Sequence, residues 1–123
     1  MTTPLGRVRG LGSARRGTAE HVAKQFSGLL LFLLTPWVLY TVIRLAGRPY
    51  AEVIVALKSL WMSPPLAAFI VISVFHMRIG MKVIIEDYVH SEHLKNTALA
   101  LNWIFAWTLA LLSVFALLRI FTM

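Results

Sequence analysis

The stretch Leu66–His90, LAAFIVISVFHMRIGMKVIIEDYVH, carries a histidine, a glycine and an Asp-Tyr pair in an otherwise apolar context. Gly80 follows His76 by four residues and Asp87 follows it by eleven. On a helix turning 100° per residue these lie about 40° and about 20° round from His76, so the three share one face. A glycine one turn from a histidine removes the side chain that would block a flat macrocycle, and imidazole is a common axial ligand of haem iron. The same residues have a plainer use. His76 can hydrogen-bond across to another helix, and Gly80 can let a neighbouring helix pack closely.

Asp87 and Tyr88 come about 11 to 12 residues, or some 16–18 Å, along the helix from His76. A phenol hydroxyl there can donate to the carbonyl of a quinone headgroup entering from lipid. An adjacent carboxylate can orient polar neighbours or help deliver protons. The alternative is an interfacial tyrosine beside an ordinary solvated acid. Arg78 lies about 200° from His76; it can snorkel, or pair with a carboxylate, a carbonyl or a haem propionate. Glu86, His90 and His93 resemble a metal cluster only loosely: His90 and His93 are three apart but have no defined third ligand, and they read as solvated turn residues.

The element that positions these residues is a membrane span. Leu66–Ile85 is almost wholly apolar, and about 20 helical residues cross the hydrocarbon core. A histidine at that depth is costly unless it faces protein or a bound group. Of the 123 residues 59% are hydrophobic, too many for a small soluble particle, so the class is an all-α integral membrane protein with a single domain. There is no cysteine, which excludes disulfides, thiolate metal sites and iron–sulfur ligation by this chain. The net charge of +7 is not a nucleic-acid footprint, because Arg7, Arg9, Arg15, Arg16 and Lys24 all precede Phe26. Basic residues ahead of a first span are a topology signal.

Residues 1–25 form an N-terminal segment on the charged side, with residues 1–20 showing no helical periodicity. The spans fall at about 26–44, 66–86 and 98–121. Pro36 lies inside the first, where a kink is expected and Thr35 stands ready to satisfy a freed carbonyl. Tyr50–Leu60 reads as a short interfacial helix ended by Ser63-Pro64-Pro65, and the double proline then starts the second span. A polar turn is expected from Glu86 to Asn96. Seven basic residues (Arg7, Arg9, Arg15, Arg16, Lys24, Lys82, Lys95) fall inside against four (Arg44, Arg48, Lys58, Arg119) outside if the N-terminus is inside, which favours that orientation. His21, His90 and His93 lie outside the apolar core, so a bis-histidine haem would take its second ligand from a partner chain.

The segment His76–Tyr88, HMRIGMKVIIEDY, with Gly12-Ser13-Ala14-Arg15-Arg16-Gly17-Thr18 upstream and three spans in order, resembles the hydrophobic membrane anchor (D subunit) of succinate dehydrogenase, respiratory complex II, of alphaproteobacterial type. The resemblance covers nearly the whole chain. It implies three transmembrane helices packing with a partner anchor subunit, and His76 as one axial ligand of a b-type haem whose other ligand comes from the cytochrome b-type C subunit. It implies Tyr88 hydrogen-bonded to ubiquinone with Asp87 in the same site. The remainder of that pocket would come from the C subunit and the iron–sulfur subunit, with succinate oxidised on a separate flavoprotein subunit.

One departure from the family pattern stands at the head of the first span. The family commonly has Gln-Arg, an apolar residue and Thr there, the arginine lying near a haem propionate; here the residues are Lys24, Gln25, Phe26 and Ser27. The resemblance places the chain in a bacterial inner membrane, the mitochondrial inner membrane being the alternative. A fumarate reductase anchor and a cofactor-free structural subunit of another respiratory complex are the rival functions. This chain alone, with no flavin motif and no cluster ligands, is not a complete enzyme.

Overall fold

The computed structural model describes residues 3–5 and 16–123. Among them run four helices of at least eight residues: α1 (Arg16–Leu45), α2 (Tyr50–Leu57), α3 (Ser63–Tyr88) and α4 (Glu92–Thr122). Arg7, Arg9 and the lead-in residues 12–15 lie outside the described residues. The helices α1, α3 and α4 are each long and apolar enough to cross a membrane, so the all-α, three-span class expected from the sequence is the class observed.

The helices outrun the apolar runs that announced them. α1 starts at Arg16 rather than Phe26, and Arg16–Glu20, expected to be irregular, is helical. Beyond Gly17 this polar lead contains Ala19, Glu20, Ala23 and Lys24, all strong helix formers. Propensity therefore carries the helix past the point where burial in lipid requires it. The polar turn expected over Glu86–Asn96 shrinks to Val89–Ser91. Val89 and Ser91 are extended, and Glu92 opens α4, where a carboxylate favours the positive end of the helix dipole.

The other punctuation follows local chemistry. α1 stops as Ala46 N–H closes on the Val42 carbonyl at 2.8 Å and Gly47 adopts φ +76°, a left-handed stop that glycine takes without strain. α2 ends at Leu57, slightly short of Leu60. Pro64 and Pro65 occupy the first turn of α3, where their missing donors cost little. α1 runs unbroken through Pro36. Thr35 Oγ1 donates to the Leu31 carbonyl at 2.5 Å, one residue short of the Phe32 carbonyl that Pro36 frees.

α3 is the middle of the assembly. It packs on α4 along one side and on α1 along another, and α2 touches α4. Few side chains are enclosed, chiefly Val74, Ile79 and Ile85 on α3 with Ala106 and Leu117 on α4. Because α1 and α4 each pack on α3 rather than closing round a shared core, most apolar side chains, Phe32, Ile43 and Phe115 among them, face outward. That outward surface suits lipid, in which helices associate through close packing of small residues and hydrogen bonds rather than through exclusion of water.

Candidate functional site

The candidate residues His76, Asp87 and Tyr88 ride on α3, and α1 contacts that helix at Lys82 and at His76. Lys82 of α3 pairs with Glu20 of α1, and also lies 4.0 Å from Glu86 one turn on. His76 lies six residues deeper on α3 and Ser27 seven residues deeper on α1. At 1.5 Å per residue these are about 9 Å and about 10 Å, so an antiparallel pair registered at Lys82–Glu20 brings His76 and Ser27 to one level.

The contact is made. His76 Nδ1 and Ser27 Oγ are 2.8 Å apart, and Ser27 Oγ is also 3.0 Å from the Lys24 carbonyl as its donor. A serine hydroxyl has one proton. With that proton turned to the Lys24 carbonyl, Ser27 Oγ accepts from His76 Nδ1–H and a neutral ring leaves Nε2 unprotonated; with it turned to Nδ1, the other tautomer results. Nε2 has no hydrogen-bond partner among the described residues. The cross-helix hydrogen bond read as one use of His76 is therefore present, and it occupies Nδ1 alone.

Two glycines frame that ring differently. A Cβ added at Gly28 would lie 3.2 Å from His76 Cε1, closer than ordinary contact, so the bare α1 backbone is what admits the imidazole. A Cβ at Gly80 would meet nothing within 4 Å. Among the described residues nothing comes within 4 Å of that position, so the space beside Gly80, one turn from His76, is open. An imidazole nitrogen without a partner among the described residues, one turn from that opening, is a donor that fits haem iron.

Asp87 and Tyr88 are placed at the C-terminal end of α3, and both are exposed, Tyr88 to 77%. Neither has a hydrogen-bond or ion-pair partner among the described residues. The structure therefore does not bring them together with His76. Arg78 lies with its guanidinium over the Phe75 ring at 5.5 Å, and its carbonyl accepts from Asn102 Nδ2 at 3.0 Å, a polar link between α3 and α4. A groove of about 310 Å³ on that side, lined by Val71, Phe75, Arg78, Trp103 and Trp107, does not include His76. Lys24 and Gln25 are exposed, as are His90 and His93.

Ser27 is the residue that sequence reasoning passed over. Its signal was present: a hydroxyl residue at the fourth position of the first-span head, where the family commonly has threonine.

Comparison with known proteins decides the family. Residues 1–116 match the succinate dehydrogenase/fumarate reductase transmembrane subunit family. The chain belongs to that family. A succinate dehydrogenase hydrophobic membrane anchor subunit from Paracoccus denitrificans is 30% identical over 95% of this chain and 90% of its own length. The equivalent subunit of Rickettsia bellii (strain RML369-C) is 29% identical over 74% of this chain and 73% of its own length, and that of Rickettsia conorii (strain ATCC VR-613 / Malish 7) is 27% identical over 80% and 79%. No solved structure matches the chain. As a member of this family with three apolar helices, the chain is a multi-pass membrane anchor subunit, and the resemblance read from His76–Tyr88 holds.

Proposed function

We propose that this anchor subunit docks the flavoprotein and iron–sulfur subunits of a succinate:ubiquinone oxidoreductase, supplies His76 as one axial ligand of a b-type haem shared with a C subunit, and contributes Tyr88 and Asp87 to the quinone-reduction site. The observation that carries the haem reading is the state of His76. Its Nδ1 is satisfied by Ser27 at 2.8 Å, its Nε2 is bare, and Gly80 leaves the adjacent face open. A haem held there supplies a one-electron redox centre within the membrane.

The remaining work belongs to this chain's own groups. Reducing ubiquinone to ubiquinol takes two electrons and two protons. Tyr88 donates a hydrogen bond from its phenol to a quinone carbonyl, which orients the headgroup and favours the more negative reduced oxygen. Asp87, beside it at the boundary, holds or passes a proton between water and the headgroup. Their exposure, and their lack of side-chain partners among the described residues, support a pocket whose other walls come from the C and iron–sulfur subunits. Exposed apolar faces on all three spans leave room for the partner anchor. The N-terminus inside a bacterial cytoplasmic membrane is consistent with the basic residues before α1.

The test is a reduced-minus-oxidised optical spectrum of the purified complex, native and His76→Ala. A b-type signal lost in an assembled variant supports the ligand. A native complex without that signal rejects the haem and leaves the cofactor-free anchor, in which Tyr88→Phe alone reports on quinone reduction.

A further inference from the structure

We infer that Ser27 is a positioning residue for the haem ligand: its oxygen accepts the Nδ1 proton of His76, holds the imidazole in the tautomer that bares Nε2, and sets how firmly and at what potential that nitrogen holds iron. This rests on the haem reading above. Ser27 is 4% exposed, so neither bulk water nor lipid headgroup replaces it as acceptor. With the hydroxyl proton on the Lys24 carbonyl, 3.0 Å away, the Ser27 oxygen is left to accept from His76 Nδ1–H at 2.8 Å.

The ring has one good seat. Rotated by half a turn about its bond to Cβ, it would set a C–H against the Ser27 oxygen and forfeit the only hydrogen bond it makes among the described residues. The Gly28 backbone against Cε1 narrows its freedom further. A ligating histidine is oriented and made more electron-rich by what accepts its other N–H. A serine oxygen is a weaker acceptor than a carboxylate and leaves the imidazole neutral. Removing it takes electron density from Nε2, which disfavours ferric more than ferrous iron. The midpoint of the haem then rises and its hold loosens.

The experiment uses the complete complex with Ser27→Ala, and with the shape-matched pair Ser27→Thr, which keeps an acceptor, and Ser27→Val, which does not. Three quantities are read: the haem midpoint by redox titration, the low-spin ferric electron paramagnetic resonance signal, and the rate of haem loss to excess apomyoglobin. In the alanine and valine variants the midpoint moves to higher potential, the resonance shifts, and haem is lost about 10-fold faster, the scale of an outer-shell substitution. The threonine variant stays with the native complex on all three. Alanine and valine variants indistinguishable from the threonine variant and the native complex would overturn the role of Ser27. A native complex that carries no haem overturns the haem reading itself, and is seen before any variant is made.

Discussion

His76 and Tyr88 are twelve residues apart on one helix, and the chain treats them in opposite ways. His76 is held along the Nδ1–Cε1 edge of its ring by α1, through Ser27 at 2.8 Å and the close approach of Gly28. Tyr88 ends α3 with 77% of its surface open and no partner among the described residues. The difference matches what each group is proposed to hold. A resident cofactor benefits from a ligand fixed before it arrives, since ordering a side chain on binding costs free energy. A substrate that enters and leaves needs a site completed by several subunits, and a single chain presents only one edge of it.

Four measurements would break or sharpen that contrast. The largest effect belongs to His76→Ala, which should abolish the b-type haem absorbance while the complex remains assembled; haem at native occupancy would mean that the fixed ring serves packing alone. Next is Tyr88→Phe, which deletes one hydrogen bond to the headgroup. Ubiquinone reduction should fall about 10-fold, the equivalent of about 1.4 kcal/mol. The haem spectrum and succinate oxidation by an artificial dye should stay unchanged. A dye rate that falls with it would assign Tyr88 to assembly instead of to quinone.

Smaller again is Asn102→Leu. This removes the donor to the Arg78 carbonyl and should lower resistance to unfolding by about 0.6–1 kcal/mol, typical of hydrogen bonds between helices in membranes. The haem midpoint should not move, because the link lies on the Arg78 side of α3. The smallest effect is expected from Lys82→Ala. Its pair with Glu20 is partly solvated, with side chains 30% and 46% exposed, so the loss should stay below about 1 kcal/mol and shrink with added salt. A haem shift in this variant would show that the Lys82–Glu20 pair, and not Ser27 alone, sets the level of His76.

Much of this was legible in the order of residues. The three apolar runs announced the three spans, since length and hydropathy decide what crosses a bilayer. Pro64-Pro65 marked where the second span starts, because proline acts on the backbone beside it. The ends of α1 and the length of the 86–96 turn were less legible. There the helix continues through polar residues on propensity, and hydropathy carries no mark of that. His76, Asp87 and Tyr88 were visible because they sit on one helix, where spacing alone fixes the face.

What the sequence determined by itself is therefore the number and rough place of the spans, the proline start of the second, and the common face of His76, Gly80 and Asp87. Only the tertiary structure decided which nitrogen of His76 is free. That depends on Ser27, 49 positions away, and on the antiparallel register of α1 against α3. It also decided that Gly28 and not Gly80 admits a neighbour within the chain. The physical reason is that a hydrogen bond's direction is set by every proton in its network, and the Lys24 carbonyl, Ser27 and His76 meet only when two helices pack.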